Sequence, residues 1–168
     1  HRNMSREDTY ALTGIQFMDF NTLFQLDAMK RQGADAIAKA DKILFMPDAL
    51  SYMLTGNAVT EYTVASTSQI LNPNTGDLDE TLLKEAGLTR DKFGPIVNPG
   101  HVIGTLTPQV QEFTGLGAVP VVAVAGHDTA SAVIGVPTPD DEYAYLSCGT
   151  WSLLGIESLR PIINDRSR

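Results

Sequence analysis

Val119-Pro120-Val121-Val122-Ala123-Val124-Ala125, followed by Gly126-His127-Asp128-Thr129 and then the apolar stretch Ala130 to Val136, decides the fold class. The first seven residues are continuous, mostly β-branched and non-alternating, the pattern of a strand buried on both faces. The last seven predict a helix. A strand running through a short glycine-led turn into a helix is the unit of an α/β fold, and ligands of open α/β sheets bind at such strand ends. Asp128 is thereby expected at the carboxyl end of the strand and the amino end of the helix. There the helix dipole favours an ionised carboxylate, a competent proton acceptor. An Asp at that place also serves as a plain helix cap, and spacing alone leaves both readings open. His127 beside it is either a polar contact to a substrate or a core histidine.

Downstream, Pro137-Thr138-Pro139-Asp140-Asp141-Glu142 reads as a stiff acidic linker and a domain boundary. Beyond it, Tyr143 to Ser147 and Trp151 to Ile156 predict a β-hairpin around Gly149-Thr150. That tip offers backbone N–H groups and a hydroxyl to a phosphate, or is simply a turn. Cys148 is expected as a small buried residue, and Trp151, Tyr143 and Tyr145 as packing.

Upstream, the chain is punctuated by caps and glycines. Ser5 with Asp8 predicts a helix ended by Gly14. Asn21 predicts the cap of a second helix ending at Gly33, and Ala34 to Ala40 a third. Pro47 opens a helix stopped by Gly56. Thr60 to Asn72, mostly polar and β-branched, reads as mixed loop and short helix. Asn72 to Gly76 is a turn cluster, and Asp77 or Asp79 begins a helix closed by Gly87. His101 to Leu106 predicts a strand, and Thr107 caps a short helix.

Composition narrows the function. The chain has 168 residues, 43% hydrophobic and 19% charged, enough to bury a core. A net charge of −8, from 12 basic and 20 acidic residues, disfavours nucleic acid and anionic lipid as partners. The longest strongly apolar run, residues 119–125, is far short of the roughly 18–20 residues that span a bilayer. A single cysteine excludes an intrachain disulfide and a multi-cysteine zinc site, and His1, His101 and His127 show no metal-ligand spacing. There is no Walker A loop and no GxGxxG. The opening His1-Arg2-Asn3-Met4 does not read as a signal peptide, so a cytoplasmic protein is expected and the Asn3-Met4-Ser5 sequon is read as a chance match, while the lack of an initiator methionine suggests a piece of a longer protein.

The blocks Ala125 to Val133 and Tyr145 to Leu153 together resemble the FGGY family of sugar kinases. Supporting blocks are Thr13-Gly14-Ile15-Gln16-Phe17, Asn21 to Leu26, Met46-Pro47-Asp48, Leu54-Thr55-Gly56 and Glu61-Tyr62-Thr63, in family order over nearly the whole chain. Gly126 and Cys148 depart from it, standing where serine is expected in related members. The resemblance implies part of an actin-like, ribonuclease-H-like ATPase fold. Residues 1–138 would form the later part of the N-terminal domain, and residues 139–168 the linker and first hairpin of the C-terminal domain. It implies ATP and Mg²⁺ as cofactors and a ketose as substrate, with L-rhamnulose expected ahead of fuculose. A sugar-binding module without activity is the rival outside this class. By the same resemblance Asp128 is the catalytic base, His127, Asp128 and Thr129 contact the ketose, and Thr150 with Gly149 binds ATP; no residue is assigned to metal. The family's first phosphate-binding loop and its later adenosine and sugar segments have no counterpart in these residues. Residues 1–168 alone are therefore expected to be inactive and prone to self-association.

Overall fold

A computed structural model describes residues 4–33, 35–138 and 142–168. Asn3 of the sequon, Ala34 and the middle of the expected linker, including the 138/139 boundary, fall on or against residues outside that set.

The helices start and stop where local chemistry says they should. Helix α1 (Arg6–Thr13) is capped by the Ser5 hydroxyl, which accepts from the Asp8 N–H. Helix α4 (Met46–Thr55) carries Pro47 in its first turn, α6 (Glu80–Ala86) is capped by Asp79, and α7 (Pro108–Thr114) by Thr107. Gly14, Gly56, Gly87 and Gly115 end these four helices in the left-handed conformation. Helix α2 (Thr22–Arg31) differs from expectation at its start. Asn21 has the cap backbone, but its amide is turned away and donates to Gln16 O and Gln69 Oε1. Helix α3 is a single short piece, Asp35–Lys39.

The main core lies where α2, α5 (Tyr62–Ser66) and α6 meet. It holds Leu23, Leu26, Ala65, Ile70, Leu71, Leu82, Leu83 and Phe93, among others. Burying each of the Leu, Ile and Phe side chains contributes roughly 1.5–3 kcal/mol. The expected short helix within Thr60 to Asn72 is present as α5, but the rest of the segment is largely buried and ends in short strands rather than forming surface loop. The segment contains strand β1 (Thr60–Glu61), α5 and strand β2 (Leu71–Asn72), and most of the residues from Thr60 to Asn72 with almost no exposure, Gln69 and Ser68 included, are polar. Most of this polarity is satisfied within the protein, Thr60 Oγ1 being the exception among the described residues. Gln69 bonds Asn21 and Ile15, and Ser68 donates to Ala65 O.

The strands form four two-stranded sheets among the described residues. β1 runs parallel to β4 (Ile96–Val97), with Thr60 opposite Ile96. β2 pairs antiparallel with β3 (Asp77–Leu78), joined through the predicted turn. Gly94 lets the β1 and β4 backbones close up: a Cβ there would lie 2.5 Å from Ala58 O and 2.6 Å from Val59 Cα. β5 (Val102–Thr105) pairs antiparallel with β6 (Pro120–Val122), and β7 (Ala144–Cys148) with β8 (Ser152–Ile156). Val59, Val97, Ile103 and Ala123 join the first and third of these sheets in a second small core.

Val119 to Ala125 departs from the doubly buried strand that its sequence predicts. Only three of its residues are strand, and only one side of it is buried. Ala123 and Ala125 point inward, while Val119, Val122 and Val124 are exposed, Val124 at 69%. β5 is its only strand neighbour among the described residues, and no helix layer covers the outward face. Apolar continuity marks a segment as able to be buried on both faces; what packs on each face decides whether it is. Cys148 is likewise exposed rather than buried, because it sits at the end of a hairpin whose two faces are both largely open.

Candidate active site

Helix α8 (Asp128–Ile134) follows the turn after β6, as the sequence predicts. Its cap position belongs to His127, which makes no side-chain cap bond, and Asp128 is the first helical residue. The capping reading of Asp128 therefore fails. Its Oδ1 accepts from the neighbouring Thr129 N–H at 2.6 Å and Thr129 Oγ1 at 3.3 Å, and the side chain is 98% exposed. Thr129 orients the carboxylate without covering it. His127 Nε2 lies 3.7 Å from the same oxygen.

The turn that carries Asp128 is held at three successive residues. Ser131 Oγ donates back to Ala125 O at 2.7 Å. Gly126 N donates to Glu61 Oε2 at 3.0 Å, and His127 N donates to Thr63 Oγ1 at 3.2 Å. A Cβ on Gly126 would come within 3.2 Å of both Glu61 Oε2 and Pro47 Cβ, so a serine there needs a small shift of its neighbours. Glu61 is itself buried and caps α5 through Thr63 N and Val64 N. Behind it, Asp48 from α4 accepts from Glu61 N through both carboxylate oxygens. Burial pushes the Asp48 carboxyl up to about 6; the Glu61 N–H opposes that rise and the Glu61 charge adds to it. Glu61 and Thr63 are supports that no local pattern singles out, because the partners they hold are 65 and 64 positions away.

A cleft of about 270 Å³ opens between α8 and the β7–β8 hairpin, lined by Asp128, Thr129, Ser147, Gly149, Thr150 and Trp151 among others. It brings together the expected base and the expected ATP-binding tip; His127 is not part of its lining. At the tip, Gly149 N–H closes the turn onto Trp151 O, which leaves the exposed Thr150 as the outward polar group. Nothing lies within 4 Å of where a Cβ on Gly149 would sit, so crowding within the chain does not account for this glycine. Trp151 is half exposed, with its ring 6.3 Å from that of Phe20. Among the described residues no group of three or more His, Cys, Asp and Glu is placed to cage a metal. One carboxylate beside a polar tip fits Mg²⁺ carried on phosphates, since that ion takes one or two carboxylates and keeps water and phosphate oxygens for the rest. No helix among the described residues is long and apolar enough to cross a membrane.

Residues 1–135 match the model of the N-terminal domain of the FGGY family of carbohydrate kinases. The chain belongs to the FGGY family. Its relatives include a rhamnulokinase of Bacteroides thetaiotaomicron, 59% identical over 95% of this chain and 33% of the relative. A rhamnulokinase of Lactiplantibacillus plantarum is 49% identical over 92% of this chain and 31% of its own. The chain thus spans about a third of the length of the curated FGGY relatives it matches. Among solved structures, a carbohydrate kinase from Novosphingobium aromaticivorans superimposes with a TM-score of 0.76 at 30% identity, covering 91% of this chain and 34% of that one. The α/β sugar-kinase fold expected from the sequence is the fold found.

Proposed function

We propose that the protein containing these residues is an ATP-dependent kinase that converts L-rhamnulose to L-rhamnulose 1-phosphate, as in rhamnose breakdown. The observation that carries this reading is the shared cleft of Asp128 and Thr150; the choice of ketose rests on the rhamnulokinase relatives. Asp128 takes the proton of the sugar's O1 hydroxyl. That oxygen forms a bond to the γ-phosphorus of ATP as the bond to the bridging oxygen breaks, and ADP leaves. A positioned base contributes about 10²–10⁴-fold to such a step, and alignment with charge stabilisation supplies the rest. His127 and Thr129 stand beside Asp128 as contacts to the ketose, and Thr150 at the Gly149 turn as a contact to ATP. Mg²⁺, when bound, neutralises phosphate charge, with Asp128 and Thr150 the residues of this chain that would face it.

Residues 1–138 are taken as the later part of the N-terminal domain and residues 139–168 as the linker and first hairpin of the next. The family match ending at residue 135 supports that division. An exposed free thiol at Cys148 suits a reducing compartment and so the cytoplasm.

Asp128→Asn in the full-length protein tests the reading. It keeps the shape and removes the proton acceptor. Turnover is expected to fall by about 10²-fold or more while sugar affinity changes little. Near-normal turnover would overturn Asp128 as the base.

A further inference from the structure

The Asp128 side chain is almost fully exposed and is held only by its sequence neighbours, Thr129 through two hydrogen bonds and His127 at 3.7 Å, so where the carboxylate stands depends on the backbone that carries all three. What is fixed is the backbone just before it. Gly126 and His127 present consecutive N–H groups to one support, Glu61 Oε2 and Thr63 Oγ1. The two acceptors are coupled. Thr63 Oγ1 donates to Glu61 Oε2 at 2.6 Å, so its proton points at the carboxylate and a lone pair is left for His127 N–H. Glu61 Oε2 thus receives Thr63 Oγ1, Val64 N and Gly126 N, and Oε1 receives Thr63 N. Glu61 is an acceptor for four donors, two of them from the backbone of Thr63 and Val64, one from the Thr63 hydroxyl and one from the Asp128 turn.

We propose that Glu61 and Thr63 form a clamp that sets the position of Asp128, making them positioning residues for phosphoryl transfer although neither lines the cleft. This rests on the reading of Asp128 as the base. Bonds to a charged acceptor are worth about twice neutral ones, and a displacement of about 1 Å at a reacting group lowers turnover by roughly 10²-fold. Loosening the clamp should therefore act on kcat and leave the ATP tip, on a different sheet, unaffected.

The test uses the full-length protein, with Glu61→Gln, Thr63→Val and Thr63→Ser made alone and in the Asp128→Asn background. Thr63→Val keeps the volume and the Glu61 cap of α5, so it reads the clamp even where Glu61→Gln folds poorly. Both are expected to lower kcat about 10- to 100-fold, with KM for ATP within about twofold, and Thr63→Ser to restore most of the rate. In the Asp128→Asn background the further loss should be under about twofold, because there is no base left to position. Undiminished kcat in Thr63→Val, or a loss as large in the Asp128→Asn background as in the wild type, overturns the clamp. The Asp128→Asn single variant separates this from the base assignment, since normal turnover in that variant fails the base and not the hydrogen-bonding of the loop.

Discussion

Gln69 and Asn21 are joined by a buried amide–amide hydrogen bond of 2.8 Å across 48 positions of sequence. Gln69 has a φ of 62°, a left-handed conformation that a non-glycine residue holds only when its surroundings compel it. The second half of its amide donates to Ile15 O at 2.9 Å. One fully buried side chain therefore ties the loop after α1 and the start of α2 to the central core. Replacing Gln69 by Leu removes both bonds and leaves the Asn21 amide and the Ile15 carbonyl short of partners. Each unsatisfied group costs about 1–3 kcal/mol, so urea unfolding should show a loss of roughly 2–4 kcal/mol. A loss below about 1 kcal/mol would mean the loop finds other partners.

That bond also shows where the sequence stops being legible. Caps and glycine stops act within four residues, so α1, α4, α6 and α7 could be read locally at Ser5, Pro47, Asp79 and Thr107. Thr60 to Asn72 could not. Its polar side chains are buried because Asn21, Ile15 and Gly126 come from elsewhere to satisfy them. Val119 to Ala125 failed in the opposite sense: its apolar face is real, but burial of Val122 and Val124 depends on neighbours the strand does not itself specify. The place of Asp128 at the start of α8 could be read because strand, turn and helix are contiguous. Glu61, its support, gave no local sign beyond belonging to a family-like block.

Asp48 gives a pH signature. Its folded-state value of about 6 stands above the ordinary 3.8, so the native state holds this proton more tightly than the unfolded chain. For a raised carboxyl the sign is that the contribution to stability is greatest below about 4 and declines as pH rises towards 6, then stays flat. Asp48→Asn removes the slope while keeping an acceptor oxygen for Glu61 N–H. The difference in melting temperature, variant minus wild type, should therefore become more positive between pH 4 and pH 7. A constant difference would show that Asp48 titrates normally.

Thr150 should report on ATP rather than sugar. The hydroxyl is the outward polar group of a tip whose Gly149 N–H is already used. Thr150→Val keeps the β-branched shape that suits a hairpin end, and is expected to raise KM for ATP several-fold more than KM for the ketose. A larger effect on the ketose would assign the hairpin to the sugar side of the cleft.

Gly94 is a test of the fold alone. Its missing Cβ is the space in which Ala58 and Val59 backbone lie, and backbone cannot rotate out of the way as a long side chain can. Gly94→Ala must separate β1 from β4, and β1 ends at Glu61, which holds the Asp128 turn. The variant should lose more than about 2 kcal/mol, in the range typical of overpacking. Unchanged stability would mean that the β1–β4 pair opens without penalty.

Residues 1–168 on their own should associate. Helix α4 packs beside β5 and β6, and these elements, with the turn after them, expose Met46, Leu50, Met53, Val102, Val122 and Val124. Farther along, Phe113 is 92% and Ile134 70% exposed. Single exposed apolar residues are ordinary, but several on neighbouring elements form the kind of patch that soluble monomers rarely leave open. β6 adds a strand edge with only β5 beside it among the described residues, and unpaired edges template pairing with a second chain. The net charge of −8 opposes association most at low salt, so self-association should strengthen as salt screens the repulsion. Sedimentation of the isolated segment at rising concentration and at two salt levels would show this as a mass above 18.1 kDa that grows with both. Met53→Lys with Val124→Lys places charge on two of these elements and should shift the distribution towards monomer. A wild-type segment that stays monomeric at every concentration would show that this apolar surface, as arranged here, is not adhesive.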